Sequence, residues 1–111
     1  MRVNIEDKYD SFYFIGIGGV SMSGLAKYFL AEGKGVGGYD AAESPYIEEL
    51  KQNGAKISVG SEQDSVKDYD LIIYTDAIKE NDYHLCEAKK LSKDILSRGQ
   101  LLYEVSRSFK K

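Results

Sequence analysis

The run Phe14-Ile15-Gly16-Ile17-Gly18-Gly19-Val20-Ser21-Met22-Ser23-Gly24-Leu25-Ala26 leaves this chain few choices of fold. Phe12, Phe14, Ile15 and Ile17 form a nearly continuous apolar run, the signature of a strand buried on both faces. Met22, Leu25, Ala26, Phe29 and Leu30 then recur at helical spacing. The junction between strand and helix is a glycine turn. Such a turn aims backbone N–H groups at one point, where the partial positive charge of the helix start favours an anion. Gly16 and Gly18 hold the first two places of a G-x-G-x-x-G pattern, Ser21 stands in the third, and Gly19 adds another glycine. The expected ligand group is a diphosphate. Gly16 permits the tight turn, and Gly18 offers backbone with no Cβ in the way. The hydroxyls of Ser21 and Ser23 add possible donors.

The rest of the chain repeats this alternation. Strands are expected over Ser11–Ile17, Gly35–Asp40, Ala55–Val59, Tyr69–Tyr74 and around Ile95-Leu96. The helices expected between them run from Val20 to Glu32 and from the Ser44-Pro45 start, with Ile47 and Leu50 inward. A further one is capped by Asn81, reaches about Ser92 and turns Leu85, Ala88 and Leu91 inward. Leu101, Leu102, Val105 and Phe109 supply the apolar face of a last helix. Strands alternating with helices imply right-handed crossovers and a parallel sheet covered on both faces. The expectation is one doubly wound, Rossmann-like α/β domain over residues 1–111, with five strands ordered 3-2-1-4-5.

In such sheets ligands bind beyond the carboxyl ends of the strands, where the strand order reverses. Three loops meet there: Gly16 to Ser23, Asp40 to Ser44, and Thr75 to Glu80. Asp40 closes the second strand, where a dinucleotide fold keeps an acid that accepts hydrogen bonds from a ribose. Thr75, Ala77 and Ile78 would close over the ligand from the other side, with Thr75 a hydroxyl donor. Asp76 sits awkwardly there, since its carboxylate repels a diphosphate unless it turns away or binds a cation. Arg98 follows the last strand at the same sheet end, placed either to meet an anion or to pair with a surface acid.

Composition excludes several other classes. Fifteen Lys and Arg against 18 Asp and Glu give a net charge of −3, the reverse of a nucleic-acid surface. No apolar run approaches the roughly 18 residues of a membrane span. Met1 to Asp10 is polar and lacks a signal peptide's apolar core, and the single Cys86 fits a reducing cytoplasm. His84 and Cys86 stand two apart with no further His or Cys to complete a metal site, so both read as structural. The nine tyrosines are scattered and read as packing residues, while Asp64, Asp68 and Asp70 read as a solvated rim. There is no G-x-x-x-x-G-K-[ST] loop and no acid–base pair, so no catalytic residue is assigned. The domain reads as a binder.

The stretch Tyr13 to Ala26 closely resembles the opening of the Mur ligases of peptidoglycan synthesis, in particular the UDP-N-acetylmuramate–L-alanine ligases. The resemblance continues, in order and at the right spacing, through Gly38-Tyr39-Asp40 and Asn53-Gly54-Ala55-Lys56-Ile57. It then takes in Tyr74-Thr75-Asp76-Ala77-Ile78 and Ser97-Arg98-Gly99-Gln100-Leu101-Leu102, nearly the whole chain. It implies a cytoplasmic, three-domain enzyme whose first, Rossmann-like domain holds the UDP part of UDP-N-acetylmuramate. Gly18, Gly19, Val20, Ser21, Met22 and Ser23 would then cradle the diphosphate, Asp40 the uridine, and Thr75 to Ile78 the opposite wall. The nucleotide is substrate, with no cofactor in this domain. ATP and Mg²⁺ are implied for the complete enzyme, in a central domain reached through an ATP loop that these 111 residues do not contain. The central and C-terminal domains are the implied partners, and this polypeptide alone is expected not to ligate. Three positions depart from the family's pattern: Ser21 where glycine is frequent, Tyr39 where serine is usual, and Asp76 where small or hydroxyl residues stand. The glycine turn serves a diphosphate in UDP-sugars and in NAD alike, so an NAD(H)-binding or regulatory domain is the alternative, and a module whose ligand site has decayed is a third reading.

Overall fold

A computed structural model describes residues 4–60 and 64–108. Five parallel strands form one sheet in the order β3-β2-β1-β4-β5. They are β1 (Ser11–Ile15), β2 (Gly35–Asp40), β3 (Lys56–Val59), β4 (Leu71–Tyr74) and β5 (Asp94–Ser97). The helices are α1 (Ile5–Lys8), α2 (Val20–Ala31), α3 (Pro45–Gln52), α4 (Tyr83–Lys90) and α5 (Arg98–Ser108). The expected doubly wound architecture and strand order are both present.

β1 is the centre of the sheet, flanked in register by β2 (Phe14 beside Gly38) and by β4 (Phe14 beside Ile73). Its alternating side chains feed two different layers. Phe12 and Phe14 join Met22, Leu25, Ala26 and Phe29 of α2, Ile47 and Leu50 of α3, and Leu101 and Val105 of α5. Phe12 stacks on Phe29 with ring centroids 4.0 Å apart. Tyr13 and Ile15 point the other way, toward Ile72, Val66, and Leu85 and Ala88 of α4. β2 is glycine-rich because its neighbours lie so close. A Cβ on Gly38 would stand 2.6 Å from the Phe14 carbonyl oxygen and 2.7 Å from Ile17 Cδ1.

Several boundaries move from those expected, each for a local reason. β1 stops at Ile15 because Gly16 turns the backbone to φ +89°, although Ile17 beyond it stays fully buried. α4 is capped by Asp82, whose side chain accepts from the Leu85 N–H at 3.0 Å, and not by Asn81. That helix ends at Lys90 before Ser92 at φ 56°, which leaves Leu91 46% exposed instead of inward. On α5, Leu101 and Val105 are buried while Leu102 faces water. Phe109, Lys110 and Lys111 lie outside the described residues. The short α1, placed by its buried Ile5, lies in a segment read only as polar. No helix among the described residues is long and apolar enough to cross a membrane.

Candidate functional site

The glycine turn hangs from the end of β2. The N–H groups of Gly16 and Ile17 both donate to the Tyr39 carbonyl oxygen, at 2.7 and 3.1 Å. Gly16 needs its positive φ, and a Cβ there would also lie 2.6 Å from Thr75 Cγ2. The Gly18 N–H donates to Asp40 Oδ2 at 2.8 Å, and Asp40 Oδ1 accepts from the Ala42 N–H at 3.2 Å. A Cβ on Gly18 would stand 2.9 Å from that Asp40 oxygen and 3.1 Å from Ile47 Cδ1. Gly18 therefore makes room for the Asp40 carboxylate, a different reason from the ligand approach that the pattern suggested. Its own N–H is already taken.

The free donors lie one step further on. Gly19 is the N-cap of α2 and brings no side chain to satisfy the first-turn amides of Val20, Ser21 and Met22. Val20 is 71% exposed, while Met22 is buried in the core and can offer only its backbone. Ser23 is buried too, and its hydroxyl donates to the Val20 carbonyl oxygen at 3.1 Å. The donor the sequence allowed at Ser23 is thus turned into the helix.

Gly19, just before these amides, lines a crevice of about 470 Å³ at the carboxyl end of the sheet. Gly16, Gly19, Tyr39, Asp40 and Ala41 form one side, and Thr75, Ala77, Ile78 and Asp82 the other. The Thr75 loop is tied down by its own backbone: Thr75 N–H donates to the Ile15 carbonyl oxygen at 3.2 Å and Ile78 N–H to that of Thr75 at 3.0 Å. Asp40 can still take a ligand hydroxyl, because a carboxylate offers about four lone-pair sites and two are in use. Asp82, the cap of α4, is a crevice residue that the sequence pattern does not mark. The sequence carries no signal for it beyond its place next to Asn81, the cap expected there.

Beyond the turn, on the β5 side, Arg98 Nη2 meets Asp76 Oδ2 at 3.0 Å and Nη1 meets Ser21 Oγ at 3.4 Å. Asp76 thus turns to a cation, out of the crevice that Thr75 and Ala77 line. Behind the crevice lies an aromatic layer that the scattered tyrosines did not reveal. The His84 ring, 1% exposed, sits 4.9 Å from Tyr39, 5.3 Å from Tyr13 and 5.2 Å from Tyr83. Asp64 Oδ1 accepts from Tyr13 Oη at 2.6 Å and Ser58 Oγ at 3.0 Å, and lies 3.4 Å from His84 Nε2. It joins this layer while its side chain stays 40% exposed, at the layer's wet edge. Burial first, then the Asp64 contact, pushes the Tyr13 hydroxyl's pKa far above its usual value. Tyr39 donates to the Gly60 carbonyl oxygen, fastening the chain after β3 to the crevice wall.

A five-stranded, all-parallel α/β domain with a glycine turn at its switch point defines the class. The family model described as "Mur ligase family, catalytic domain" matches residues 11–110, and the chain belongs to the Mur ligase family. A UDP-N-acetylmuramate–L-alanine ligase of Clostridium botulinum is 42% identical over 106 residues, 96% of this chain and 23% of that protein. One from a Sulfurihydrogenibium species is 40% identical over 100 residues, 90% of this chain and 22% of its own length. Among solved structures, the UDP-N-acetylmuramate–alanine ligase of Thermotoga maritima superposes with TM-score 0.81 at 26% identity, covering 91% of this chain and 24% of that one. A murein peptide ligase of Psychrobacter arcticus gives 0.75 at 27% identity, over 85% and 20%. The chain therefore spans about a quarter of the length of the relatives it matches.

Proposed function

We propose that this domain holds the UDP moiety of UDP-N-acetylmuramate for a cytoplasmic, ATP-dependent ligase that adds L-alanine in peptidoglycan synthesis. The observation that carries the reading is the first turn of α2. Its uncapped amides follow directly on Gly19, which lines a crevice with Asp40 on one side and Thr75, Ala77 and Ile78 on the other. The uridine ribose lies by Asp40, the diphosphate on the amides of Gly19 to Met22, and the sugar continues toward β5 and Arg98. Residues 1–111 act as a single UDP-sugar-binding unit, the N-terminal domain of the whole ligase. ATP, Mg²⁺ and the acceptor amino acid belong to parts of the relatives outside the matched quarter. These 111 residues contain no ATP loop, so the domain binds without ligating. The names of the 40–42% identical relatives favour L-alanine over a peptide as the acceptor.

Calorimetric titration with UDP-N-acetylmuramate, UDP and NADH, with amide shifts followed by NMR, tests this. Saturable uptake of the UDP-sugar with the largest shifts at Gly19 to Met22 is expected. Uptake of NADH without the UDP compounds would replace this function by dinucleotide sensing, and no uptake of either would leave a site that has lost its ligand.

A further inference from the structure

Arg98 is shared by three loops that meet at the carboxyl edge of the sheet. It opens α5, pairs at 3.0 Å with Asp76 from the loop after β4, and reaches Ser21 in the first turn of α2 at 3.4 Å. The guanidinium is 30% exposed and the Asp76 carboxylate 65%. Among the described residues, Arg98 is the one polar side-chain partner recorded for Asp76. Two of the three positions that depart from the family's pattern, Ser21 and Asp76, are thus the two that touch this arginine.

The arrangement puts a cation and its resident carboxylate beside the first-turn amides. A phosphoryl group seated on those amides is a neighbour of Ser21 and so of the guanidinium. Phosphate and carboxylate present the same kind of oxygen pair to an arginine fork. Both cannot use the same two N–H groups at once.

We propose that Asp76 is a built-in competitor for Arg98: it holds the guanidinium while the crevice is empty and yields it to a diphosphate oxygen when the ligand enters. The exchange rests on the UDP-sugar reading of the crevice. It makes Asp76 a determinant of affinity and selectivity, weakening every ligand that engages Arg98 and leaving a nucleoside without phosphate unaffected. An exposed ion pair is a weak rival, so its removal tightens binding by about two- to fivefold. Loss of the arginine's charge-assisted bond loosens binding by about tenfold.

The test is a double-mutant cycle on the intact chain, with Asp76→Asn, Arg98→Gln and both, read by titration with UDP-N-acetylmuramate, UDP and uridine. Exchange predicts that Asp76→Asn tightens both UDP compounds two- to fivefold when Arg98 is present, changes nothing in the Arg98→Gln background, and leaves uridine binding alone. Equal tightening in both backgrounds means that Asp76 acts by repulsion alone and overturns the exchange, as does no tightening. Arg98→Lys, which keeps the charge without the fork, should retain part of the Asp76 effect and covers the case in which Arg98→Gln is poorly folded by circular dichroism. If the wild-type chain binds and the cycle is flat, only the exchange falls. If the folded wild-type chain takes up neither UDP compound, the UDP-sugar reading falls and the exchange with it.

Discussion

The two faces of the sheet are made of different materials. On one, Phe12 and Phe14 meet helices with a dry layer of aromatic and aliphatic side chains, Phe29 stacked at its middle. On the other, Tyr13 and Ile15 meet a single helix and the chain around Val66, in a layer threaded by Tyr39, Tyr69, His84 and Asp64. The interior of the first face is held by shape, with the Tyr9–Asp94 and Tyr28–Glu6 bonds at its margin. The second is held by hydroxyl and carboxylate contacts, and it is the one that backs the Tyr39 side of the crevice. The crevice therefore leans on both layers: Met22 anchors the α2 turn in the first, and the Tyr39 wall rests on the second.

The sharpest way to break this contrast is to truncate each layer at its centre. Phe29→Ala removes a fully buried ring and should cost about 3–5 kcal/mol in urea unfolding at neutral pH. Tyr13→Phe keeps the ring and loses only the bond to Asp64, whose carboxylate retains Ser58 and partial access to water. Its cost should be about 1 kcal/mol. Equal losses from the two would erase the distinction.

Alkaline pH sharpens it. The raised pKa of Tyr13 means that the unfolded chain loses this proton first as pH rises past about 10. The folded state then binds more protons than the unfolded one, so stability declines upward from that pH. Tyr13→Phe should flatten part of the decline in denaturation midpoints measured between neutral pH and pH 11, whereas Phe29→Ala should leave its slope unchanged. Tyr69, raised mainly by burial, and Tyr28, pushed up to about 12 by burial and the nearby Glu6, contribute to the remainder.

The smallest effect belongs to neither layer. Gly24 lies on the exposed side of α2, and a Cβ there would meet nothing within 4 Å. Gly24→Ala should raise stability by about 0.5–1 kcal/mol, read as a higher melting temperature. A loss instead would show that the helix surface is more crowded than its neighbours indicate.

The face built by shape was readable from the sequence. Apolar spacing placed Met22, Leu25, Ala26 and Phe29 on one side of α2, and the alternation of strands with helices led to the strand order that the sheet has. The hydrogen-bonded face was not, because its contacts join residues far apart along the chain. Tyr13 finds Asp64 across 51 positions, and His84 and Tyr39 meet only once β2 and α4 have packed. The same holds in the crevice. Local pattern brought out Gly16, Asp40 and Thr75, but the occupation of the Gly18 N–H by Asp40, and of Arg98 by Asp76, are facts of the folded chain. At Leu91 and Leu102 hydrophobicity does not mean burial, because the helix ends or turns away.

The Asp40 bond to the Gly18 N–H also bears on how β2 finds its alignment. A strand reading Gly-Val-Gly-Gly has little side-chain bulk to distinguish one alignment from its neighbour, and slipping by a single residue reverses which side each position faces. Tyr39 and Asp40 remove that ambiguity. Only one alignment lets the Tyr39 carbonyl oxygen receive two turn amides while the next side chain reaches a third. The acid proposed to greet the nucleoside thus doubles as a registration pin, and the cradle and the strand beside it are assembled in a single act of folding.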